Sequence, residues 1–597
     1  MRLIDATGKS NFFGRQYRNF WNKYLEIHKQ PGLRNAHSNY NYQLSGHGGC
    51  QSCRCRRCHR THLSSNHKVG IVNLVINNLP VPIESDGLTA YLQAAATKMA
   101  TGENEIAIVK ILGKALDLRR QEQFLYKVSL VITIADSYHN RQGFPVYQEP
   151  VAVPRTTVSR ADRPIIVGFG PAGMFAALEL IAYGLKPLIF ERGKKIEERS
   201  LDVQRFIKER ELNPESNIQF GEGGAGSYSD GKLFSRRDNN TGYVNRVLQT
   251  FIKFGAPAEI GYISKPHLGT DVLCRIVRNI RLYILERGGE IFYSAKMTDL
   301  LITDGTVAGI IINAEQEYLA SAIYLALGHS ARDTVEMLHQ KGVALERRPM
   351  AVGVRIEHPA RTINLLRYGN KYQDFPGLGA AAYSLNYTNR PIKRGVYTFC
   401  MCPGGEIVNA SSEQGLLVLN GMSYSERSSP FSNAALVVSC HVEDYQATSP
   451  LAGFALQREI EDKAFKAGGG QWQVPAQNLM HFLGKDSAAG LHDNSYKMGA
   501  VPADLRDILP AFVSEELVAA FRKWQEEVPL FVSEEAILFG AETRAAAPVR
   551  LTRNERYESV NVRRLYPIGE GSGYTGGITS SAADAIKAVE CNTMNNR

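Results

Sequence analysis

The chain has 597 residues, of which 44% are hydrophobic and 21% charged, as is typical of a globular protein with several domains of ~100–200 residues. No run approaches the ~18 consecutive apolar residues of a membrane-spanning helix, and the N-terminus lacks the pattern of a secretory signal. We therefore expect a cytoplasmic protein without a membrane partner. Residues 1–68 hold twelve basic and two acidic residues, which leaves 57 of each elsewhere and accounts for the whole net charge of +10. The neutral body argues against a nucleic-acid partner.

Residues 1–68 show little hydrophobic periodicity, and we interpret them as a basic, disordered extension. They contain four cysteines followed by a histidine: Cys50, Cys53, Cys55, Cys58 and His59. This spacing would suit zinc or an iron–sulfur cluster, and its second half matches the attachment motif of c-type haem. Because no export signal or folded flank accompanies the cluster, we assign no metal. The alternatives are an upstream extension or a targeting arm for a plastid or another organelle.

Apolar patterning predicts a small α+β domain over residues 69–135, with strands at 69–76, 105–112 and 124–134 and a helix at 87–99. The polar residues 136–162 are predicted to form a linker. A βαβ unit follows, with a strand at 165–167, a helix at 172–183 and a strand at 186–191. Beyond it we expect a helix at 271–286, a meander of strands at 289–293, 298–303 and 307–313, and a strand at 318–327.

The turn of the βαβ unit carries Gly168, Gly170 and Gly173 in the spacing Gly-x-Gly-x-x-Gly, and Glu191 ends the next strand. The first glycine permits a tight turn, the second lets the backbone approach a pyrophosphate, and the third allows close helix–strand packing. The helix N-terminus offers N–H groups, and the acidic residue can accept hydrogen bonds from ribose hydroxyls. The predicted nucleotide contacts are Gly168, Gly170, Pro171, Ala172, Gly173, Glu191 and Arg192.

A second strand–turn–helix near the C-terminus decides between NAD and FAD. It contains Gly569, Glu570 and the run Gly576-Gly577-Ile578, followed by a helix predicted at 579–589. In flavoproteins of the glutathione-reductase class, an acidic residue after a strand holds the ribityl chain and the pyrophosphate. The following helix points its N-terminus at the edge of the flavin where negative charge develops. These residues fit both roles, and the strand that ends at Gly328 resembles the third element of that class, so we predict FAD as the cofactor.

We therefore predict an α/β fold in which a Rossmann-like FAD-binding domain is assembled from residues 163–341 and 531–597. A mixed α/β substrate domain, residues 342–530, is inserted between these parts, and the small α+β domain precedes them. No second nucleotide-binding pattern is found. We expect NAD(P)H, if it is the electron donor, to react without a Rossmann domain of its own; otherwise the donor is a different molecule.

Several runs resemble a bacterial and plastid family of mostly uncharacterised FAD-dependent dehydrogenases. They lie at residues 220–233, 326–333, 398–405 and 542–544, and the resemblance covers residue 69 to the C-terminus. One departure is Leu327, where the class more often has threonine. The resemblance implies that a glycine loop passes over the FAD through Gly223, Gly224, Ala225 and Gly226, although an ordinary surface loop is the alternative. This loop repeats the glycine spacing, but no helix pattern follows it, so we reject it as a second dinucleotide site.

Five residues are the candidates for catalysis: Cys400, Cys402, His329, Glu542 and Arg544. A thiolate can exchange electrons with a flavin, and alternate residues of a strand share a face, but buried structural cysteines are the alternative. Arg544, like Arg550, suits a substrate carboxylate or phosphate, unless it pairs with a protein acid such as Glu542. His267 is a further polar residue that we expect near a substrate.

The sequence thus predicts an FAD-dependent oxidoreductase, a dehydrogenase or reductase that acts on a small organic molecule by hydride transfer. Two alternatives remain open at this point. One is a flavin-dependent RNA-modifying enzyme, which only the basic extension supports. The other is a flavin-binding sensor without catalytic activity.

Overall fold

The computed structural model describes residues 70–149, 155, 157, 163–233, 241–320, 322–485 and 490–594. The chain divides into two compact units, Met1–Lys68 and Val69–Arg597, and the cysteine cluster of the extension lies outside the described residues. The second unit is a mixed α/β structure that contains several sheets.

Among the described residues, the first half of this unit holds eleven strands and six α-helices. In chain order they are β1 (Ile71–Pro82), α1 (Leu88–Met99), β2 (Ala107–Asp117), β3 (Leu125–Ala135), β4 (Ile165–Val167), α2 (Pro171–Ala182), β5 (Leu188–Phe190), α3 (Ile196–Glu209), α4 (Thr241–Lys253), α5 (Gly269–Glu286), β6 (Glu290–Phe292), β7 (Met297–Thr303), β8 (Thr306–Ile312), β9 (Gln316–Leu319), β10 (Ile323–Leu325), α6 (Arg332–Gln340) and β11 (Leu345–Arg347).

In its second half, the residues that the structure describes form a further eleven strands and five α-helices. They are β12 (Met350–Pro359), α7 (Ala360–Tyr372), β13 (Asn386–Asn389), β14 (Arg394–Cys402), β15 (Glu406–Asn409), β16 (Leu419–Met422), β17 (Phe431–Cys440), α8 (Ala452–Ala467), β18 (Val474–Asn478), α9 (Leu479–Phe482), β19 (Ala500–Pro502), α10 (Ala511–Glu527), β20 (Ile537–Glu542), β21 (Val549–Leu551), β22 (Leu565–Pro567) and α11 (Ile578–Met594).

The N-terminal strands form a three-stranded antiparallel sheet in the order β1-β3-β2, with α1 packed on one face. The start of the segment expected as a linker pairs with this sheet. The N–H of Val75 donates to Pro145 O at 2.8 Å, and that of Tyr147 donates to Asn73 O at 2.8 Å. The polar stretch therefore extends the edge of β1 before the chain continues to β4.

A five-stranded parallel sheet in the order β22-β10-β4-β5-β6 positions the nucleotide motifs. Its short strands are almost entirely apolar because both faces are covered. Helices α2, α5 and α11 pack on one face, and strands β7 and β8 pack on the other. Helices α2 and α11 pack against each other, so the two strand–turn–helix units found in the sequence are spatial neighbours. The carboxyl ends of β4, β10 and β22 lie side by side at one edge.

Two strand predictions were wrong in this region. The apolar run at 318–327 is not one strand: β9 closes an antiparallel sheet with β7 and β8, while β10 lies in the parallel sheet. Leu319 is 68% exposed and Ile323 fully buried, so a continuous apolar pattern hid a change of environment. In addition, β6 pairs with β5 in the parallel sheet, and the meander consists of β7, β8 and β9.

The second large sheet has seven strands in the order β13-β14-β17-β12-β20-β18-β19. Its central strands β12 and β17 are buried along nearly their whole length and carry the largest apolar core, which α10 covers with Leu517, Phe521 and Trp524. Strand β20 lies between β12 and β18, so this sheet continues past residue 530 to Glu542.

Candidate functional site

A deep cleft opens at the edge of the parallel sheet where β4, β10 and β22 end. Its volume is about 1540 Å³, its solvent-open mouth included. The loops after these three strands form one wall. Residues of β14 and β16 and the chain at the end of β20 form the other, so the two large sheets meet across the cleft.

The turn after β4 is shaped by two glycines with different tasks. Gly168 has a φ of +97°, and a Cβ there would lie 2.4 Å from the carbonyl oxygen of Ala326. A Cβ at Gly173 would lie 2.0 Å from the carbonyl oxygen of Gly168, so this glycine serves helix–strand packing and does not line the cleft. Helix α2 begins at Pro171, and the first intrahelical bond runs from Met174 N to Gly170 O. The preceding N–H groups of the helix are therefore free for a ligand.

The carboxylate of Glu191 joins three loops at the end of β5. It accepts hydrogen bonds from the N–H groups of Phe169, Gly193 and Gly221 at 2.8, 2.9 and 2.9 Å. A carboxylate has about four acceptor positions, so the backbone takes most of its capacity and leaves room for one ribose hydroxyl. The next residue, Arg192, stacks on Phe220 with 3.9 Å between the guanidinium carbon and the ring centroid.

The glycine loop at 221–226 lies directly against the turn after β4. Gly223 N donates to Phe169 O at 2.8 Å, and a Cβ at Gly224 would lie 3.0 Å from the Cα of Gly170. The loop continues into a short 3₁₀ helix, Ala225–Tyr228, rather than an α-helix. Behind it, the fully buried guanidinium of Arg199 donates to four carbonyl oxygens: those of Asn217, Ile218, Gly221 and Glu222.

Most of the predicted cofactor contacts come together in this cleft. The residues that line it are Gly168, Gly170, Pro171, Ala172, Glu191, Arg192, Gly224, Ala225, Gly226, Gly328, Glu570, Gly577 and Ile578. Gly173, Gly223, Gly569 and Gly576 do not line it. A Cβ at Gly569 would lie 2.6 Å from the Cβ of Ala172, so Gly569 brings the C-terminal turn close to α2.

The two cysteines lie on the opposite wall at an irregularity of β14. The pairing of β14 with β17 shifts between Phe399 and Cys402, and Cys400 has a φ of +40°. Both cysteines line the cleft, as expected for two residues on one face, but at this bulge Cys400 is exposed and Cys402 is buried. The surrounding cleft walls desolvate the Cys400 thiol and raise its pKa to about 12, and burial also raises the pKa of Cys402. Both groups are therefore thiols near neutral pH, which argues against thiolate chemistry.

Arg544 is bound to the protein rather than open to a substrate. Its Nε and Nη2 donate to the two oxygens of Glu461 at 3.1 and 3.0 Å, and Arg332 donates to the same carboxylate at 2.7 Å. Burial alone would raise the pKa of Glu461, but the two guanidinium groups outweigh it and hold that pKa well below its usual range. The acid that pairs with Arg544 is thus Glu461 and not Glu542.

His329 is connected to this cluster through Ser330. The Ser330 hydroxyl donates to Gln219 Oε1 at 3.0 Å and accepts from Arg544 Nη1 at 3.2 Å. Because a hydroxyl has only one proton, its 2.8 Å contact with His329 Nδ1 requires that Nδ1 carry a proton. Burial lowers the pKa of His329, so the ring is neutral and its Nε2 is left as an acceptor.

Glu542 ends β20 beside a fully buried arginine. Arg355 Nη1 donates to Glu542 Oε2 at 2.8 Å, and the other nitrogens of Arg355 donate to neutral groups, including Asn433 Oδ1 and Cys400 O. In the described chain, Glu542 Oε1 has no hydrogen-bond partner, and Glu542 lines the cleft. Desolvation raises the pKa of Glu542, and Arg355 opposes this shift.

Two further residues expected near a substrate lie elsewhere. Neither His267 nor Arg550 lines the cleft, and Arg550 pairs with Glu346 at 2.7 Å. Sequence reasoning missed Phe399, Asn420 and Lys296, which do line it. No motif marks Asn420 or Lys296, whereas Phe399 lies in the run at 398–405 that carries the family resemblance. Lys232 also lies in such a run, at residues 220–233, and no role was assigned to it from the sequence.

Over the part of the chain that the structure describes, no group of three or more His, Cys, Asp and Glu side chains is arranged to hold a metal ion. Within the same residues, no helix has both the length and the apolar character needed to cross a membrane.

Comparison with known proteins identifies the family. Residues 349–545 match the family model described as "FAD-dependent protein, C-terminal domain-like". An uncharacterised protein of Clostridium beijerinckii is 42% identical over 527 residues, a match that spans 86% of this chain and 97% of that protein. The chain belongs to this FAD-dependent protein family.

Solved structures give weaker similarities. The flavin-dependent brominase Bmp2 is 14% identical with a TM-score of 0.34, over 73% of this chain and 80% of its own. CtdE in complex with FAD is 12% identical with a TM-score of 0.29, over 73% of this chain and 85% of its own. An L-amino acid deaminase from Proteus vulgaris is 12% identical with a TM-score of 0.23, over 36% of this chain and 63% of its own. At these scores the similarities carry no argument about activity.

Proposed function

We propose that this protein is an FAD-dependent oxidoreductase, a dehydrogenase or reductase that acts on a small organic substrate in the cleft. One observation carries the proposal. The N-termini of α2 and α11 and the carboxylates of Glu191 and Glu570 line the same cleft as the proton-accepting groups of His329 and Glu542. The cofactor-binding wall thus carries one proton acceptor itself, His329, and faces the other, Glu542, across the cleft.

The residues of the first wall fit FAD. Gly170 has no side chain that would fill the space in front of α2, where free N–H groups suit a pyrophosphate. Glu570 follows β22, in the position that would hold the ribityl chain, and it accepts a hydrogen bond from Gly577 N at 3.4 Å. The N–H of Ile578, at the start of α11, suits the electron-rich edge of the flavin. Bound there, FAD would supply the capacity to accept or donate a hydride.

The protein's own contribution is to bind the substrate and to move a proton. His329 Nε2 and Glu542 Oε1 are both acceptors at the cleft, and either suits a substrate hydroxyl or amine as a general base. Ser330 fixes the imidazole orientation, and Arg355 fixes that of the carboxylate. Neither cysteine is needed for these steps.

The nature of the electron donor also belongs to the proposal. Among the described residues, the glycine loop at 221–226 opens a 3₁₀ turn, and outside the turn after β4 the same spacing recurs only at Gly571, Gly573 and Gly576, in the C-terminal turn that we assign to FAD. We therefore expect NADH and NADPH to react, if at all, without a dedicated dinucleotide site. Rapid, saturable bleaching of the flavin with tight nucleotide affinity would contradict this.

An absorption spectrum followed by a reduction screen tests the proposed function. The purified protein should show an oxidised-flavin band, or acquire it on incubation with FAD, and some organic donors should bleach that band at a rate that saturates with their concentration. A protein that cannot take up FAD would refute the proposal. A flavin that dithionite reduces, but that no organic donor reduces, would favour a sensor over an oxidoreductase.

A further inference from the structure

Every cation of the described residues that lines the cleft is already matched by a carboxylate of the protein. The lining cations are Arg192, Lys232, Lys296 and Arg544. Their N···O distances are 2.9 Å for Arg192–Asp333, 2.8 Å for Lys232–Asp230, 2.7 Å for Lys296–Asp333 and 3.0 Å for Arg544–Glu461. The negative partner of each cation offsets much of its attraction for an anionic ligand, and breaking the buried Arg544–Glu461 pair is costly.

Four acidic residues line the cleft, as many as the cations. They are Glu191, Asp230, Glu542 and Glu570. A charge-balanced cleft that also receives the pyrophosphate of FAD becomes negative overall. An anionic substrate would enter such a site against the local potential, because charges in a cleft of low dielectric are poorly screened.

The wall opposite the nucleotide motifs offers hydrogen-bond acceptors and an apolar surface. Glu542 Oε1 accepts hydrogen bonds, and Asn420 lines the cleft with its Oδ1 already used by Gly421 N and Arg355. Phe399 presents an exposed ring beside Cys400. This combination suits a ligand that has an apolar, preferably flat, portion and an N–H or O–H group directed at Glu542.

We propose that the substrate of this cleft is an uncharged organic molecule that donates a hydrogen bond to Glu542, and that the cleft rejects carboxylates. The inference rests on the proposed oxidoreductase function, since it assigns the substrate class of that same site. Its central element is the Arg355–Glu542 pair. In the described chain this carboxylate is the only one within 4.0 Å of Arg355, so the charge of Glu542 decides whether the wall is neutral or positive.

A pair of matched probes tests the proposal on the FAD-loaded protein. Benzamide and benzoate have nearly the same shape, but benzamide is neutral and donates hydrogen bonds, whereas benzoate is an anion that only accepts them. Each probe is titrated while the flavin absorption spectrum is recorded. We expect benzamide to bind about tenfold more tightly than benzoate, or better. The shift in melting temperature caused by the same two probes provides a readout that does not depend on the flavin.

The variant Glu542→Gln should reverse this preference. Arg355 cannot lose its proton, so removal of the partner carboxylate leaves a buried positive charge at the cleft wall. We expect the affinity ratio to move by about tenfold or more towards benzoate. The double variant Glu542→Gln/Asn420→Asp places a carboxylate at a position that already accepts from Arg355, and it should restore the preference for benzamide. Glu346→Gln, which removes an ion pair away from the cleft, is the matched control and should leave the ratio unchanged.

A buried unpaired arginine can prevent folding, so Asn420→Asp alone keeps the proposal falsifiable. It adds a negative charge to the wall and should weaken benzoate while leaving benzamide nearly unchanged. Tighter binding of benzoate than of benzamide to the unaltered protein would overturn the proposal. An affinity ratio that Glu542→Gln does not change would also overturn it. A failure of the proposed function is distinguishable, because a protein without a flavin band is recognised before any probe is added.

Discussion

The same added methyl group should have different effects at two glycines of one turn: at Gly173 it should lower stability, and at Gly170 it should lower FAD affinity. In Gly173→Ala the new Cβ lies 2.0 Å from the carbonyl oxygen of Gly168, 3.0 Å from its carbon and 3.4 Å from Ile166 Cγ2. The obstacle is backbone, which cannot turn away as a side chain does. Relief requires that α2 move off the sheet, and overpacking of this kind costs about 1–3 kcal/mol. We expect a value at the upper end of that range.

In Gly170→Ala the nearest atom to the new Cβ is Gly224 Cα at 3.6 Å, an ordinary contact, and the backbone at φ −82° is open to any residue. The stability of the apoprotein should change by less than about 1 kcal/mol, because the poorer helix cap is offset by a less flexible unfolded chain. The methyl group stands in the cleft in front of α2, so FAD affinity should fall by about tenfold or more, which corresponds to about 1.4 kcal/mol.

The assay separates the two effects by measuring them in different states. Urea unfolding of the apoproteins gives stability without the contribution of bound ligand, and quenching of FAD fluorescence gives the dissociation constant. Gly242→Ala, in an open part of α4 with no atom within 4 Å of the new Cβ, serves as the control. The reasoning is refuted if the apoprotein of Gly173→Ala is as stable as the unaltered chain. It is equally refuted if Gly170→Ala binds FAD with unchanged affinity.

Three further perturbations address the groups around the cleft. Glu461→Gln should cost about 3–5 kcal/mol near neutral pH, because it leaves two buried guanidinium groups without a full partner. The folded-state pKa of Glu461 is lowered, so its stabilisation is present above the unfolded pKa of about 4.3 and fades below it; the unfolding free energies of variant and parent should therefore converge in acid. Arg199→Lys keeps the charge but cannot reach four carbonyl oxygens, and it should weaken FAD binding by about tenfold in a fluorescence titration. Cys400 should react with iodoacetamide far more slowly than glutathione at pH 7.5, as measured by mass spectrometry, and faster as the pH approaches its raised pKa of about 12; equal rates would contradict the thiol assignment.

The features that could be predicted from the sequence are those with a local cause. The βαβ unit followed from the spacing of Gly168, Gly170 and Gly173, because a tight turn and a close packing contact both demand glycine within a few residues. The helix that begins at Ile578 was likewise foreseeable from the glycines before it. Periodicity also located α1, α5 and the strands β1 to β8, but it assigned no individual helix or strand within residues 342–530. It also did not show that the run around Leu319 changes from an exposed edge to a buried sheet.

The partners of charged residues could not be predicted, because they depend on pairings between distant segments. Arg544 and Glu461 are separated by 83 positions, and nothing near either residue indicates the other. The sequence shows that an arginine suits a carboxylate, but not whose carboxylate it meets. The bulge at Cys400 could not be predicted for the same reason, because the register of β14 is set by its pairing with the distant strand β17. A regular strand was the reasonable expectation, and the tertiary pairing overrode it.

The pairing of cations with protein carboxylates has a consequence for how the cofactor is held. An unpaired charge inside an enclosed cleft is costly, so charged residues can occupy this site only if each has a partner nearby. Arg192 and Lys296 satisfy this through Asp333 and Glu215, which leaves neither free to neutralise a phosphate. The negative charge of FAD must then be met by oriented N–H groups, above all those at the start of α2, whose dipoles need no counter-ion when the site is empty. A protein that binds its cofactor by dipoles keeps its cleft neutral in the absence of ligand. Because no cation of the described cleft lacks a carboxylate partner, none is available to attract an anionic substrate to the opposite wall.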